Sequence, residues 1–139
     1  MSMRLDEALY QHLVACPLAP VVALRQLVGD RIYPVVRPAN CALPAVIYDL
    51  QSGEEEQAHS GGIGIVTSSG QITAEAIEYA PCRELAGALK AALEAPTQRW
   101  GDLAVYRVLV TENSTPDYDN DTQSYVQALS LTVAHSREG

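Results

Sequence analysis

Two segments near the start of the chain carry apolar residues at helical spacing. The first has two acidic residues in its first turn, where the helix dipole favours them, and Pro17 ends it. The second covers residues 20–28, with Pro20 near its start and Gly29 suited to cap its C-terminus. Both therefore predict helices, with apolar stripes formed by Leu5, Leu9, Leu13 and Cys16 in the first and by Val21, Leu24 and Val28 in the second.

The clearest helical pattern comes later, in the segment from Cys82 to Ala95. Pro81 opens this segment and Pro96 stops it, because proline is tolerated in the first turn of a helix and breaks its interior. Its apolar stripe consists of Leu85, Ala88, Leu89, Ala92 and Leu93.

Alternating apolar and polar residues predict strands over residues 44–50, 63–67, 71–79, 103–112 and 125–135. The Ser68-Ser69-Gly70 sequence, between the second and third of these strands, is typical of a hairpin turn. In the fourth strand, strict alternation places Tyr106, Val108 and Val110 on one face and Leu103, Val105 and Leu109 on the other.

The segments between these elements are polar or carry proline. Asp30 to Leu43 contains two prolines and predicts an extended segment. Gln51 to Gly64 predicts a mobile loop, or a hairpin whose tip is mobile. Asn113 to Thr122 predicts an acidic, turn-rich loop. Residues 136–139 are expected to fray.

The order of elements predicts an α+β fold with a largely antiparallel sheet. Two helices come first, one helix is inserted between strands, and the helices pack on one face of the sheet. A length of 139 residues without an internal repeat or second apolar cluster predicts a single domain over residues 1–139.

Composition argues against two classes of protein, disordered chains and membrane proteins. Hydrophobic residues make up 47% of the chain and charged residues 19%, which argues against a disordered protein. No apolar run approaches the roughly 18–20 residues that span a bilayer, and the N-terminus lacks the apolar region of a signal peptide. We therefore expect a soluble protein that makes no membrane contact.

The acidic balance bears on possible nucleic-acid partners. Nine Lys and Arg stand against 17 Asp and Glu, which gives a formal net charge of −8. This balance disfavours a broad basic face that grips DNA. An acidic surface near DNA repels it, and therefore suits a conduit better than a clamp.

Candidate chemical motifs are incomplete. Asp117-Tyr118-Asp119-Asn120-Asp121 begins like a calcium loop, but Thr122 replaces the turn glycine and Ala128 the bidentate glutamate. The three cysteines have no metal spacing, and His12, His59 and His135 are isolated in the sequence. We expect no catalytic residue, cofactor or metal, although histidines that converge with a carboxylate in a pocket would favour an enzyme.

The strings Val28-Gly29-Asp30-Arg31-Ile32-Tyr33-Pro34 and Leu43-Pro44-Ala45-Val46-Ile47-Tyr48 frame the Asp30–Leu43 segment. With the Ala/Leu-rich helix and the Asp-Tyr-Asp loop before the last strand, they resemble the tail-completion or tail-terminator family of long-tailed bacteriophages. Members of that family also occur in prophages and gene-transfer particles. The resemblance covers nearly the whole chain.

The resemblance implies a structural virion protein rather than an enzyme. Family members form a six-fold ring at the head-proximal end of the tail tube, end tube polymerisation and meet the head connector. The implied partners are further copies of the chain in a hexamer, the tail-tube protein and the head connector or neck protein. DNA passes through such a ring without specific binding. The implied location is the neck region of the tail, after assembly in the host cytoplasm.

If the protein assembles into a ring, its functional site is a surface that contacts other proteins, and several residues are candidates for it. Glu54-Glu55-Glu56 is either solvated charge, a source of a general acid or base, or a surface complementary to a basic partner. Tyrosines in connecting segments commonly serve interfaces, and arginines there either pair with acids of a neighbouring copy or stay solvated. The candidate interface residues are Arg31, Tyr33, Arg37, Glu54, Glu55, Glu56, Asp117, Tyr118 and Asp119.

Two alternatives stay open at this point. One is another phage neck or head-completion protein. The other belongs to a different class, a small α+β ligand-binding domain or enzyme with a pocket between sheet and helices.

Overall fold

The described residues form three helices and seven strands. The structure, a computed structural model, describes residues 4–58, 61–97, 99–112 and 115–136, with the backbone alone for 51–64. The elements are α1 (Leu5–Ala15), α2 (Ala19–Val28), β1 (Ile32–Pro34), β2 (Ala45–Ala58), β3 (Gly61–Ala76), α3 (Tyr79–Leu93), β4 (Arg99–Trp100), β5 (Leu103–Glu112), β6 (Asp117–Asp119) and β7 (Ser124–Ser136).

The three predicted helices are confirmed. Helix α2 has Pro20 in its first turn and ends at Gly29, whose positive φ of 59° suits a residue without a side chain. The Gly29 N–H donates to Arg25 O at 2.7 Å. Helix α3 begins two residues before Pro81, which therefore sits in the first turn, where its missing N–H costs nothing.

The sheet is mostly antiparallel and runs in the order β1-β2-β3-β7-β5-β4, with β6 also paired to β7. Among the described strands, only β1 pairs in parallel, with β2. Part of the predicted Asp30–Leu43 segment is therefore a short strand. The helices cover one face of the curled sheet and share a core with its inward residues, which include Val46, Ile72, Leu129, Leu131 and Val133. The α+β fold is therefore as predicted.

The predicted hairpin at Ser68-Ser69-Gly70 is wrong, because β3 runs through it without a break. Ser68 is buried, and Gly70 lies between Leu50 of β2 and Leu131 of β7. A Cβ at Gly70 would meet Asp49 O and lie 2.8 Å from Leu50 Cα. The glycine thus permits close backbone approach rather than a turn. The hairpin alternative for 51–64 agrees with the pairing of β2 and β3, and its tip lies outside the described residues.

The prediction of strict alternation in β5 is also wrong. The register shifts between Val105 and Arg107, so Tyr106 is an extra residue in a β-bulge. As a result Val105 and Val110 both point into the core, although they were predicted on opposite faces. A further strand, β6, occupies part of the predicted loop 113–122.

No single helix among the described residues is long and apolar enough to cross a bilayer. Helices α1 and α2 meet such a criterion only as a pair bent by 89°, and both contribute buried side chains to the core.

Candidate functional site

A buried ion pair fixes the end of the sheet next to the segment that follows β1. Arg37 donates two hydrogen bonds to Glu75, at 2.7 Å from Nε to Oε1 and 2.9 Å from Nη2 to Oε2. Ser124 Oγ donates to the same carboxylate at 2.5 Å. The side chains of Arg37 and Glu75 are 14% and 5% exposed, and the hydrogen bonds to Glu75 raise the pKa of Arg37. Arg37, predicted to pair with a neighbouring copy or to stay solvated, therefore has its carboxylate partner in its own chain.

An open cavity of about 550 Å³ lies beside this pair. Its rim includes Val35 and Val36, which are 68% and 73% exposed. Val35 has a φ of 64°, and the Val36 N–H donates to Pro34 O at 2.6 Å across it, as in a strained γ-turn. The remaining lining residues are Arg37, Ala39, Ile47, Thr73, Glu75, Asp121 and Thr122.

Arg31 and Tyr33 lie near the start of the Asp30–Leu43 segment, before Val35 and Val36. Arg31 Nε donates to Pro44 O at 2.9 Å and Arg31 Nη2 donates to Leu27 O at 3.3 Å. These bonds tie the end of α2 to the start of β2. Tyr33 is half-buried on β1, opposite Ile47.

Asp117, Tyr118 and Asp119 form strand β6. Tyr118 is 50% exposed and packs edge-on against Tyr125 of β7, with ring centroids 5.1 Å apart. Tyr79 packs on the same Tyr125 ring from α3, at 5.7 Å and 90°. Asp119 Oδ1 accepts from the backbone N–H of Asp121 at 2.9 Å. That carboxylate therefore closes the turn between β6 and β7.

Glu54, Glu55 and Glu56 lie on the backbone of β2, where it pairs with β3 in the long hairpin. Their side chains lie outside the described residues.

The two histidines that the structure describes, His12 and His135, have different partners. His135 Nδ1 donates to Ser136 O at 2.6 Å, and Ser68 Oγ lies 2.8 Å from His135 Nε2. This pair has the chemistry of a serine nucleophile with a base. Both side chains are 1% exposed or less, however, so no substrate can reach them.

His12 is at a different place, between α1 and the end of α3. Its Nε2 donates to Ala92 O at 2.8 Å, and its ring stacks on Trp100 at 5.1 Å. Burial is the main cause that lowers the pKa of His12. This histidine thus acts as a packed, neutral donor. His59 lies outside the described residues.

The cysteines and acids of the described residues offer no metal cluster of three or more ligands. Cys82 is buried, its thiol lies 3.5 Å from Ala74 O, and burial raises its pKa to about 11. Cys82 is therefore a core residue and an unreactive thiol.

The chain was compared with known proteins. No protein-family profile and no curated sequence matches it. Several solved structures match its fold, and one of them comes from a virion. That structure is a chain of the "virion of native gene transfer agent (GTA) particle", with a TM-score of 0.58 and 20% sequence identity. The match covers 96% of this chain and 95% of the other, so the whole fold is shared rather than one motif.

Sequence reasoning missed several exposed or buried residues around these features. Glu75 was not predicted because its partner Arg37 lies 38 residues away. Two exposed apolar groups were also missed: Ile77 and Tyr79 beside the tyrosine pair, and Tyr106 and Leu109 on β5. In the sequence, Ile77 and Tyr79 flank Glu78 at the end of the strand predicted over 71–79, whereas β3 ends at Ala76.

Proposed function

We propose that the protein is a structural component of a phage-like virion, and that it forms the ring that terminates the tail tube and joins it to the head connector. The observation that carries this proposal is the end-to-end likeness of the fold to a chain of a gene transfer agent virion. The sequence resemblance to tail-terminator proteins supports the finer role, because that family includes members in gene-transfer particles.

The interior of the described chain supports a non-enzymatic role. Its one serine–histidine contact is sealed in the core, and its buried acid is neutralised by Arg37. The exposed apolar side chains instead suit contacts with other proteins, since aromatic residues are enriched at such interfaces.

The charge of the chain suits a ring around DNA. A hexamer of a chain with a net charge of −8 carries −48, and the part that faces the lumen repels the DNA backbone during passage. In such a ring each copy uses two different surfaces, one for each neighbour, and the rotation between copies closes after six.

Native mass spectrometry and negative-stain imaging of the purified protein test this proposal. We expect six-membered rings, either alone or once tail-tube subunits are added. A chain that stays monomeric at every concentration, with and without the tail-tube protein, would contradict the ring. Rings that bind a neck protein but ignore tube ends would instead favour another neck component.

A further inference from the structure

Two exposed surfaces of opposite charge lie near opposite ends of β7. We call the first the acidic patch; it consists of Ile77, Glu78, Tyr79 and Tyr118. We call the second the basic patch; it consists of Tyr106, Arg107 and Leu109.

The acidic patch is apolar at its centre and anionic at its rim. Ile77, Tyr79 and Tyr118 are 63%, 42% and 50% exposed. Glu78 is exposed, and its carboxylate has no hydrogen bond or ion pair with the described residues. Arg83, one turn further along α3, is the basic neighbour. Tyrosine rings beside free carboxylates bind a guanidinium group well, because both attract the cation.

The basic patch is created by the bulge in β5. Tyr106 and Leu109 are 59% and 49% exposed, with Arg107 between them in the sequence. Arg107 is exposed and makes no hydrogen bond or ion pair within the described part of the chain. A bulge re-aims side chains away from a sheet, and here it leaves an arginine flanked by apolar groups.

The two patches cannot contact each other within one copy. Tyr118 is opposite Tyr125, and Arg107 is opposite Ala134. These positions are nine residues apart along β7, which corresponds to about 30 Å at the usual rise of a strand. Each patch is therefore available to another molecule.

We propose that the acidic patch of one copy binds the basic patch of the next, with Arg107 between the tyrosines and the carboxylate of Glu78. This contact deepens the proposed ring function and rests on it. A second copy is the occupant because one chain carries both halves of a charge-complementary pair. Two different surfaces that bind head-to-tail generate either a closed ring or an open filament.

A charge-swap experiment tests this contact by mass photometry at equal protein concentrations. Arg107→Glu makes both patches negative and Glu78→Arg makes both positive, so each is expected to raise the dissociation constant between copies at least about 10-fold. The double variant Arg107→Glu/Glu78→Arg restores opposite charges and is expected to recover most of the assembly. Arg4→Glu and Asp102→Arg are the controls, because they make the same charge changes at exposed positions outside both patches.

The outcomes separate this contact from the ring function. Wild-type rings that persist unchanged in both single variants would overturn the contact and leave the ring function standing. Weakened assembly that the double variant does not recover would also overturn the pairing of these two residues. A wild-type chain that stays monomeric even with tail-tube subunits would overturn both.

Discussion

Arg37→Met removes the only guanidinium that faces the buried carboxylate of Glu75 among the described residues. The carboxylate is 5% exposed and keeps just the hydroxyl of Ser124 as a donor. Removal of one partner of a buried ion pair costs about 3–5 kcal/mol, since the other charge stays desolvated. Because the arginine is 14% exposed and Ser124 remains, we expect the low end, a loss of about 3 kcal/mol in the free energy of unfolding.

Urea unfolding followed by the fluorescence of Trp100, the single tryptophan, measures this loss. At a typical slope of about 1–3 kcal/mol per molar urea, the midpoint falls by roughly 1–3 M. Arg83→Met is the matched control, because Arg83 is exposed on α3 and such changes cost less than about 0.5 kcal/mol.

The double variant Arg37→Met/Glu75→Gln distinguishes a lost charge partner from lost packing. A neutral amide still accepts the Ser124 hydrogen bond and leaves no buried charge, so we expect the double variant to recover most of the loss. A loss below about 0.5 kcal/mol in Arg37→Met would refute the reasoning. Equal instability of the single and double variants would refute it as well, since the charge of Glu75 would then be irrelevant.

Two further predictions concern packing and pH. Gly70→Ala is expected to destabilise the fold by about 1–3 kcal/mol, because its Cβ meets the β2 backbone. Gly87→Ala, in open space on α3, is expected to stabilise the fold by about 0.5–1 kcal/mol. Equal effects of the two variants in thermal unfolding would disprove the close approach at Gly70. His12 has a lowered pKa when folded, so below its ordinary value of 6.5 the unfolded chain takes up a proton that the folded chain resists. The contribution of His12 to stability is therefore fully present above pH 6.5 and falls as the pH drops below it. In urea titrations, His12→Gln is expected to lose less unfolding free energy than the wild type between pH 7.5 and 5.5. Parallel pH profiles of the two proteins would contradict this.

The local sequence pattern was sufficient to predict the three helices and the α+β fold class. The stripes of α1, α2 and α3 are set by residues three and four apart, which any helix brings to one face. Proline and glycine marked the ends of α2 within a residue, because their backbone preferences act locally.

The missed features depend on contacts between distant parts of the chain. Gly70 has the sequence context of a turn, but its role is set by the β2 backbone that lies beside it. The bulge at Tyr106 depends on the register of β5 against β7, which the pattern of β5 alone does not contain. Tyr118 was predicted as an interface residue from its type and segment, whereas its neighbour Tyr79 was assigned to a strand and overlooked.

The central claim is that this chain ends a growing tail tube, and tube length measures it most directly. Tail-tube subunits from the same genome are polymerised with increasing amounts of the protein, and tubes are imaged by negative-stain electron microscopy. We expect tubes capped by a ring at one end and progressively shorter as the protein is added, with Arg4→Glu behaving like the wild type. Uncapped tubes whose length distribution does not respond to the protein would contradict the account.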